Sequence, residues 1–130
     1  MNDSILVSIR QFLGLGQNDD AFDTDLIILI NSNFSVLRQL NVGPKTTFKI
    51  TGVSELWSSF IEDKDYLELV KEFIGLKVKM IFDPPSNSFV MKAYEERVAE
   101  LEWRLNMFED KETVQNVIDA YSSEDEEDGL

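Results

Sequence analysis

Apolar residues recur at steps of three and four along most of this chain, so the pattern resolves into helices separated by polar or Gly- and Pro-containing breaks. Ile5, Ile9 and Phe12 share one face of a first helix that starts near Asp3 or Ser4 and stops at Gly14-Leu15-Gly16. Ile27, Ile30, Phe34 and Leu37 mark a second, with Asp23 or Thr24 as its cap and Asn41-Val42-Gly43-Pro44 as its closing turn. Thr46 to Thr51 alternates around Phe48 and Ile50 and is rich in β-branched residues, which predicts a short hairpin strand or an extended arm reaching a neighbour. Ser54 is positioned to cap a short helix bearing Trp57, Phe60 and Ile61.

The strongest periodicity follows. Tyr66, Leu69, Phe73, Leu76 and Met80 form one seam, and Leu67, Val70, Ile74, Val78 and Ile81 form a second beside it. A helix apolar over that much of its girth is buried on most sides. Asp65 with Glu68 predicts a capping box at its start, and Gly75 in its middle costs about 1 kcal/mol against Ala, which a close approach by another element would justify. Phe82-Asp83-Pro84-Pro85 then breaks the chain, because proline lacks an N–H and drives the preceding residue out of the helical region. Asp83, Pro84 and Pro85 are the expected corner of a helical hairpin, with Asp83 as cap and Pro84 as first residue of the last helix. That helix carries Val90, Tyr94, Val98, Leu101, Leu105 and Phe108 on one stripe, and Glu100 precedes Arg104 by four residues, the favourable order for a surface pair. A weaker helical segment with Val114, Val117, Ile118 and Tyr121 follows. The expected fold is mostly α: a small helical bundle with a long helical hairpin and one short β-hairpin or extended arm. The expected organisation is a domain over 1–121 and an acidic disordered tail over 122–130.

Charge and composition narrow the function. The 130 residues hold 25 acids and 12 bases, a net charge of −13. Five acids lie in Glu124-Asp125-Glu126-Glu127-Asp128, leaving 20 against the same 12 bases in the body, so groove-reading DNA binding is disfavoured. The absence of His and Cys removes the commonest general base, thiolate chemistry and disulfides, and fits a reducing cytoplasm. The longest purely apolar run, Leu26 to Ile30, is far short of the roughly 20 residues of a membrane span, and the N-terminus carries no signal-peptide pattern.

Candidate chemistry is sparse. Asp19, Asp20, Asp23 and Asp25 have the density of a calcium loop, but frames starting at Asp19 or Asp23 lack the Gly and Glu that an EF-hand requires at its sixth and twelfth positions. A solvated loop and helix cap account for them more simply. Gly14-Leu15-Gly16-Gln17 lacks the remainder of a dinucleotide loop, carboxylate pairs fall only on ordinary polar faces, and no catalytic residue, metal site or cofactor is expected. Lys71, Lys77 and Lys79 spread too widely around their helix for a phosphate patch. Trp57 reads as core; Trp103 reads equally as a second core layer or a subunit contact. The acidic tail is a solubilising extension or a dock for a basic partner surface.

Asp20-x-Phe22-Asp23-x-x-Leu26-Ile27 leading to Asn31, then Leu37-x-Gln39-Leu40-x-Val42-Gly43, then Phe82-Asp83-Pro84-Pro85 with Phe89, then Glu100-Leu101-Glu102-Trp103-Arg104-Leu105-Asn106 together resemble the head-tail connector, or head completion, proteins of tailed bacteriophages and prophages, over about residues 4 to 108. The resemblance implies a structural, non-enzymatic adaptor of the virion neck, assembled in the bacterial cytoplasm. Its copies would form a dodecameric ring under the portal protein after DNA packaging and offer a platform to a tail-side connector or tail completion protein. Genomic DNA would pass through without sequence-specific binding, and no membrane is involved. Subunit or portal contacts are expected to draw on Tyr66, Phe73, Leu76, Trp103, Arg104 and Leu105, where the helices carry apolar surface beyond the needs of one core. The competing reading is an acidic DNA mimic that inhibits a host nucleic-acid-binding protein.

Overall fold

The computed structural model describes the backbone of residues 3–128; within it the side chains of 108–116 and 121–128 are left aside. Five helices are formed among the described residues: α1 (Ile5–Phe12), α2 (Asp23–Gln39), α3 (Trp57–Phe60), α4 (Lys64–Phe82) and α5 (Ser88–Asp128). There is no sheet among them, so the fold is a mostly α bundle. Its one β-type pairing is an antiparallel bridge between Ser4 and Leu56, with Ile5 N–H donating to Glu55 O and Trp57 N–H to Asp3 O.

Local chemistry sets the helix ends. Ser4 caps α1 in extended conformation, and its Oγ accepts the Val7 N–H in a long 3.4 Å contact. After α1 the chain turns through Gly14 at φ 81°, with Leu15 N–H bonded to Arg10 O and Gly14 N–H to Gln11 O, the closing pattern that needs a left-handed residue. Asn41 plays the same part after α2 at φ 62°: Val42 N–H reaches Leu37 O at 2.8 Å, and both Val42 and Leu37 are buried.

Four expected caps are replaced. Phe22 occupies the cap position of α2 without a side-chain bond, because Asp23 is engaged by Arg10. Leu56, not Ser54, precedes α3, since pairing with the N-terminal segment holds Leu56 extended. The cap of α4 is Asp63, which accepts the Tyr66 N–H at 3.0 Å and leaves Asp65 in the first turn. At the corner, Asp83 closes α4 instead of opening α5, its N–H bonded to Lys79 O. Asn87 accepts the Phe89 N–H at 2.8 Å and starts the next helix. Asp83, Pro84 and Pro85 thus lie in the link between the two long helices, one turn earlier than a cap of α5 would.

Packing of α4 on α5, of α2 on α4 and of α1 on α2 buries a single core. Both seams of α4 enter it: Tyr66, Phe73 and Leu76 from one, Leu67, Val70, Ile74 and Val78 from the other. Val98, Leu101 and Leu105 close it from α5. Each fully buried Leu contributes roughly 1.5–3 kcal/mol relative to exposure. Gly75 does mark a close approach: a Cβ there would come within 2.9 Å of the Phe12 ring.

The Thr46–Thr51 segment is neither a hairpin nor an arm that leaves the protomer. It runs extended beside α2, where Asn31 Nδ2 donates to Ile50 O at 3.0 Å and Ile50 N–H donates to Asn31 Oδ1 at 2.8 Å. A helix side chain thereby replaces the missing neighbouring strand. Phe48 completes a trio with Phe34 and Phe60, whose ring centroids are 4.7–5.1 Å apart. The expected 122–130 tail falls where side chains lie outside the described residues; the backbone of α5 continues helical to Asp128.

Candidate interaction surface

One helix, α5, carries apolar residues on two opposite faces. At about 100° per residue, Phe89, Trp103 and Met107 fall within roughly 40° of one another, while Val98 and Leu105 lie about 160–180° from Phe89. The second set is buried against α4. The first is exposed: Phe89 by 83%, Trp103 by 63% and Met107 by 47%. Ile118 continues the outer stripe and is also exposed. Near the corner Ile81 and Phe22 add apolar surface, and Phe22 meets Phe82 edge-on at 5.2 Å, tying the start of α2 to the end of α4. Exposed Glu96 and Glu100 share this bearing between Phe89 and Trp103, so the outer face carries apolar residues near the corner and again from Trp103 onward, with charge between them.

The six expected contact residues separate. Trp103 and Arg104 are on the surface. Tyr66, Phe73, Leu76 and Leu105 are corrected to protomer core, because α1, α2 and the facing long helix cover the seams that the sequence leaves apparently in surplus. Phe89 and Met107 were missed as contact candidates; the signal for them is the bearing they share with Trp103. Trp57 is core, its indole N–H donating to Ser8 Oγ at 3.0 Å.

Charge around α5 is organised by Arg97. Its Nε and Nη2 donate to the two carboxylate oxygens of Glu72 on α4, at 2.5 and 2.8 Å, and its Nη1 donates to Glu100 at 2.9 Å. Arg104 holds the other oxygen of Glu100 at 2.9 Å. The hydrogen bond from Arg97 keeps the Glu72 carboxyl below its ordinary range against an opposing effect of burial, and Glu100 is lowered by the same arginine. Arg97 is in turn held more firmly protonated. A second tie is internal: Arg10 is buried and donates to both oxygens of Asp23 and, at 2.6 Å, to Gln17 O. That arrangement accounts for two of the four acids in the run. Asp23 neutralises a buried guanidinium, Asp19 turns its own loop by accepting the Ala21 N–H, and no metal-ligating cluster of three occurs among the described residues.

Of the lysines singled out, Lys71 pairs with Glu68 and lies over the Trp57 ring, Lys79 pairs with Asp83, and Lys77 lies over Phe73. They make no common patch. No helix among the described residues is long and apolar enough to cross a membrane.

Against this all-helical geometry, residues 5–112 match the phage connector protein family. The chain belongs to that family. No curated protein and no solved structure matches this connector. Membership makes it a structural component of bacteriophage particles that associates with other head or tail proteins. The match ends at residue 112, so it takes in the outer stripe as far as Met107 and leaves out the acidic segment from Glu124 onward.

Proposed function

We propose that this connector is the head-tail adaptor of the virion neck: a non-enzymatic ring, dodecameric in the particle, that assembles under the portal after DNA packaging and presents a platform to a tail-side connector or tail completion protein. The observation that carries the reading is the outer stripe of α5. Phe89, Trp103 and Met107 are left over after the protomer has satisfied its own core, and a heterologous contact repeated around an axis covers such a stripe in every copy. The corner fixes the angle at which each copy offers it. Acidic faces flanking the channel would repel the DNA backbone and keep the passing duplex mobile.

The test is complementation of particles lacking the connector with Trp103→Glu and Phe89→Glu chains. Both side chains are exposed, so the protomer should stay folded by circular dichroism while DNA-filled heads fail to acquire tails. Normal yields of infectious particles from both variants would refute the stripe as the ring contact.

A further inference from the structure

Residues 26–54 contain Arg38, Lys45 and Lys49 and no Asp or Glu, whereas the rest of the chain holds 25 acids against 9 bases. The fold gathers this basic stretch. Arg38 stands in the last turn of α2, and the extended segment through Thr47 and Phe48 runs alongside it. Between them lies an open groove of about 320 Å³ lined by Phe34, Ser35, Arg38, Gln39, Thr47 and Phe48. Arg38 Nη1 donates to Thr47 Oγ1 at 2.7 Å, which holds the guanidinium at the rim. Arg10, Lys71, Lys79, Arg97 and Arg104 all have carboxylate partners. None of the ion pairs among the described residues uses Arg38, Lys45 or Lys49, and all three are exposed.

A groove with aromatic walls from Phe34 and Phe48 and with Arg38 in its lining, continued by a segment that carries exposed Lys45 and Lys49, fits an acidic polypeptide segment. The densest such segment available is the chain's own Glu124-Asp125-Glu126-Glu127-Asp128. Intramolecular docking is opposed by geometry: Leu105 is the last buried residue described on α5, and the helix runs on for about 25 Å before Ser122, away from the hairpin corner. A neighbouring copy meets no such restriction. We infer that the groove between the end of α2 and residues 44–51 receives the acidic segment 122–130 of a second copy of this chain. The inference rests on the ring reading above, and it gives the acidic terminus the role of a strap between subunits.

The chain has no cysteine, so thiols can be placed singly in full-length protein. Ser35→Cys and Ser123→Cys chains, mixed under mild oxidation, should form a disulfide between the two variants faster than either links to itself. Raising salt to about 0.5 M, or adding Lys45→Glu with Lys49→Glu to the Ser35→Cys chain, should slow the link roughly tenfold or more. Pairing that reversed groove with a Ser123→Cys chain carrying Glu124→Lys and Glu126→Lys should restore it. An absent link, a rate indifferent to salt and charge reversal, or a doubly substituted chain that closes on itself at high dilution would overturn the strap. So would shielding of the Ser35→Cys thiol by duplex DNA in a chain with the reversed acidic segment, which would make the groove a nucleic-acid surface. A missing link in chains that still assemble through Trp103 would overturn the strap alone; linked chains that build no neck would overturn the ring reading.

Discussion

The side-chain amide of Asn31 pairs with both backbone groups of Ile50, donating at 3.0 Å and accepting at 2.8 Å, as a neighbouring strand would. Ile50 is buried, so a backbone N–H or C=O that loses this partner is left away from water. Asn31→Ala should destabilise the protomer by about 2–4 kcal/mol, since an unsatisfied buried group costs about 1–3 kcal/mol. Asn31→Asp, which keeps the acceptor but sets a carboxylate oxygen against the Ile50 carbonyl, should also destabilise at neutral pH. Urea denaturation of both variants checks this, and an Asn31→Ala loss below about 0.5 kcal/mol would contradict the pairing.

Glu72 and Arg97 fasten α4 to α5 at a site about one-third exposed. Solvent screening limits such a pair, so a double-mutant cycle with Glu72→Gln and Arg97→Gln should return a coupling of about 0.5–1 kcal/mol. The pH dependence has a definite sign. Glu72 is lowered in the folded chain, so its stabilisation is complete above the unfolded carboxyl range near 4.3 and is lost as pH falls through the lower folded value. The stability gap between wild type and Glu72→Gln should therefore be constant from about pH 6 to 8 and shrink on acidification below about pH 4. A gap that widens in acid would rule out the ion pair as its source.

Asn41 holds a left-handed backbone conformation that glycine adopts without strain. Asn41→Gly should leave stability unchanged or raise it by up to about 1 kcal/mol, whereas Asn41→Val should lower it by about 1–2 kcal/mol. Thermal unfolding of the two variants separates them. Equal melting temperatures would show that the turn after α2 is not under this constraint.

Arg10 is buried with Asp23 as its carboxylate partner. Asp23→Ala should cost about 3–5 kcal/mol by leaving a buried guanidinium uncompensated, more than any other single change in the acidic run. Asp19→Ala and Asp20→Ala should each stay within about 0.5 kcal/mol of wild type. Comparable losses at all three positions would point back to a shared role for the cluster, such as a cation site.

Much of the helical order was legible because apolar spacing reports burial directly: the paired seams of α4, the Gly14 stop, Trp57 as core and Gly75 as a close approach all follow from local pattern. What escaped was whatever depends on partners distant in sequence. Arg97 gives no local sign that it meets Glu72, and Asn31 gives none that its amide serves Ile50. The corner was recognisable from Pro84 and Pro85, but the competition between Asp83 and Asn87 to cap α5 was settled by geometry across the link. The contact surface was the hardest to read. Both faces of α5 are apolar, and only the placement of α4 separates Val98, Leu101 and Leu105 inside from Phe89, Trp103 and Met107 outside. The seam residues Tyr66, Phe73 and Leu76 looked like surplus until α1 and α2 were seen to cover them.

The most direct test is an electron cryomicroscopy reconstruction of the neck in intact virions, at a resolution that places side chains. One closed ring of this connector is expected beneath the portal, with Phe89, Trp103 and Met107 of each copy covered by the next. Density for the chain elsewhere in the particle, or a ring in which Trp103 faces solvent in every copy, would contradict it.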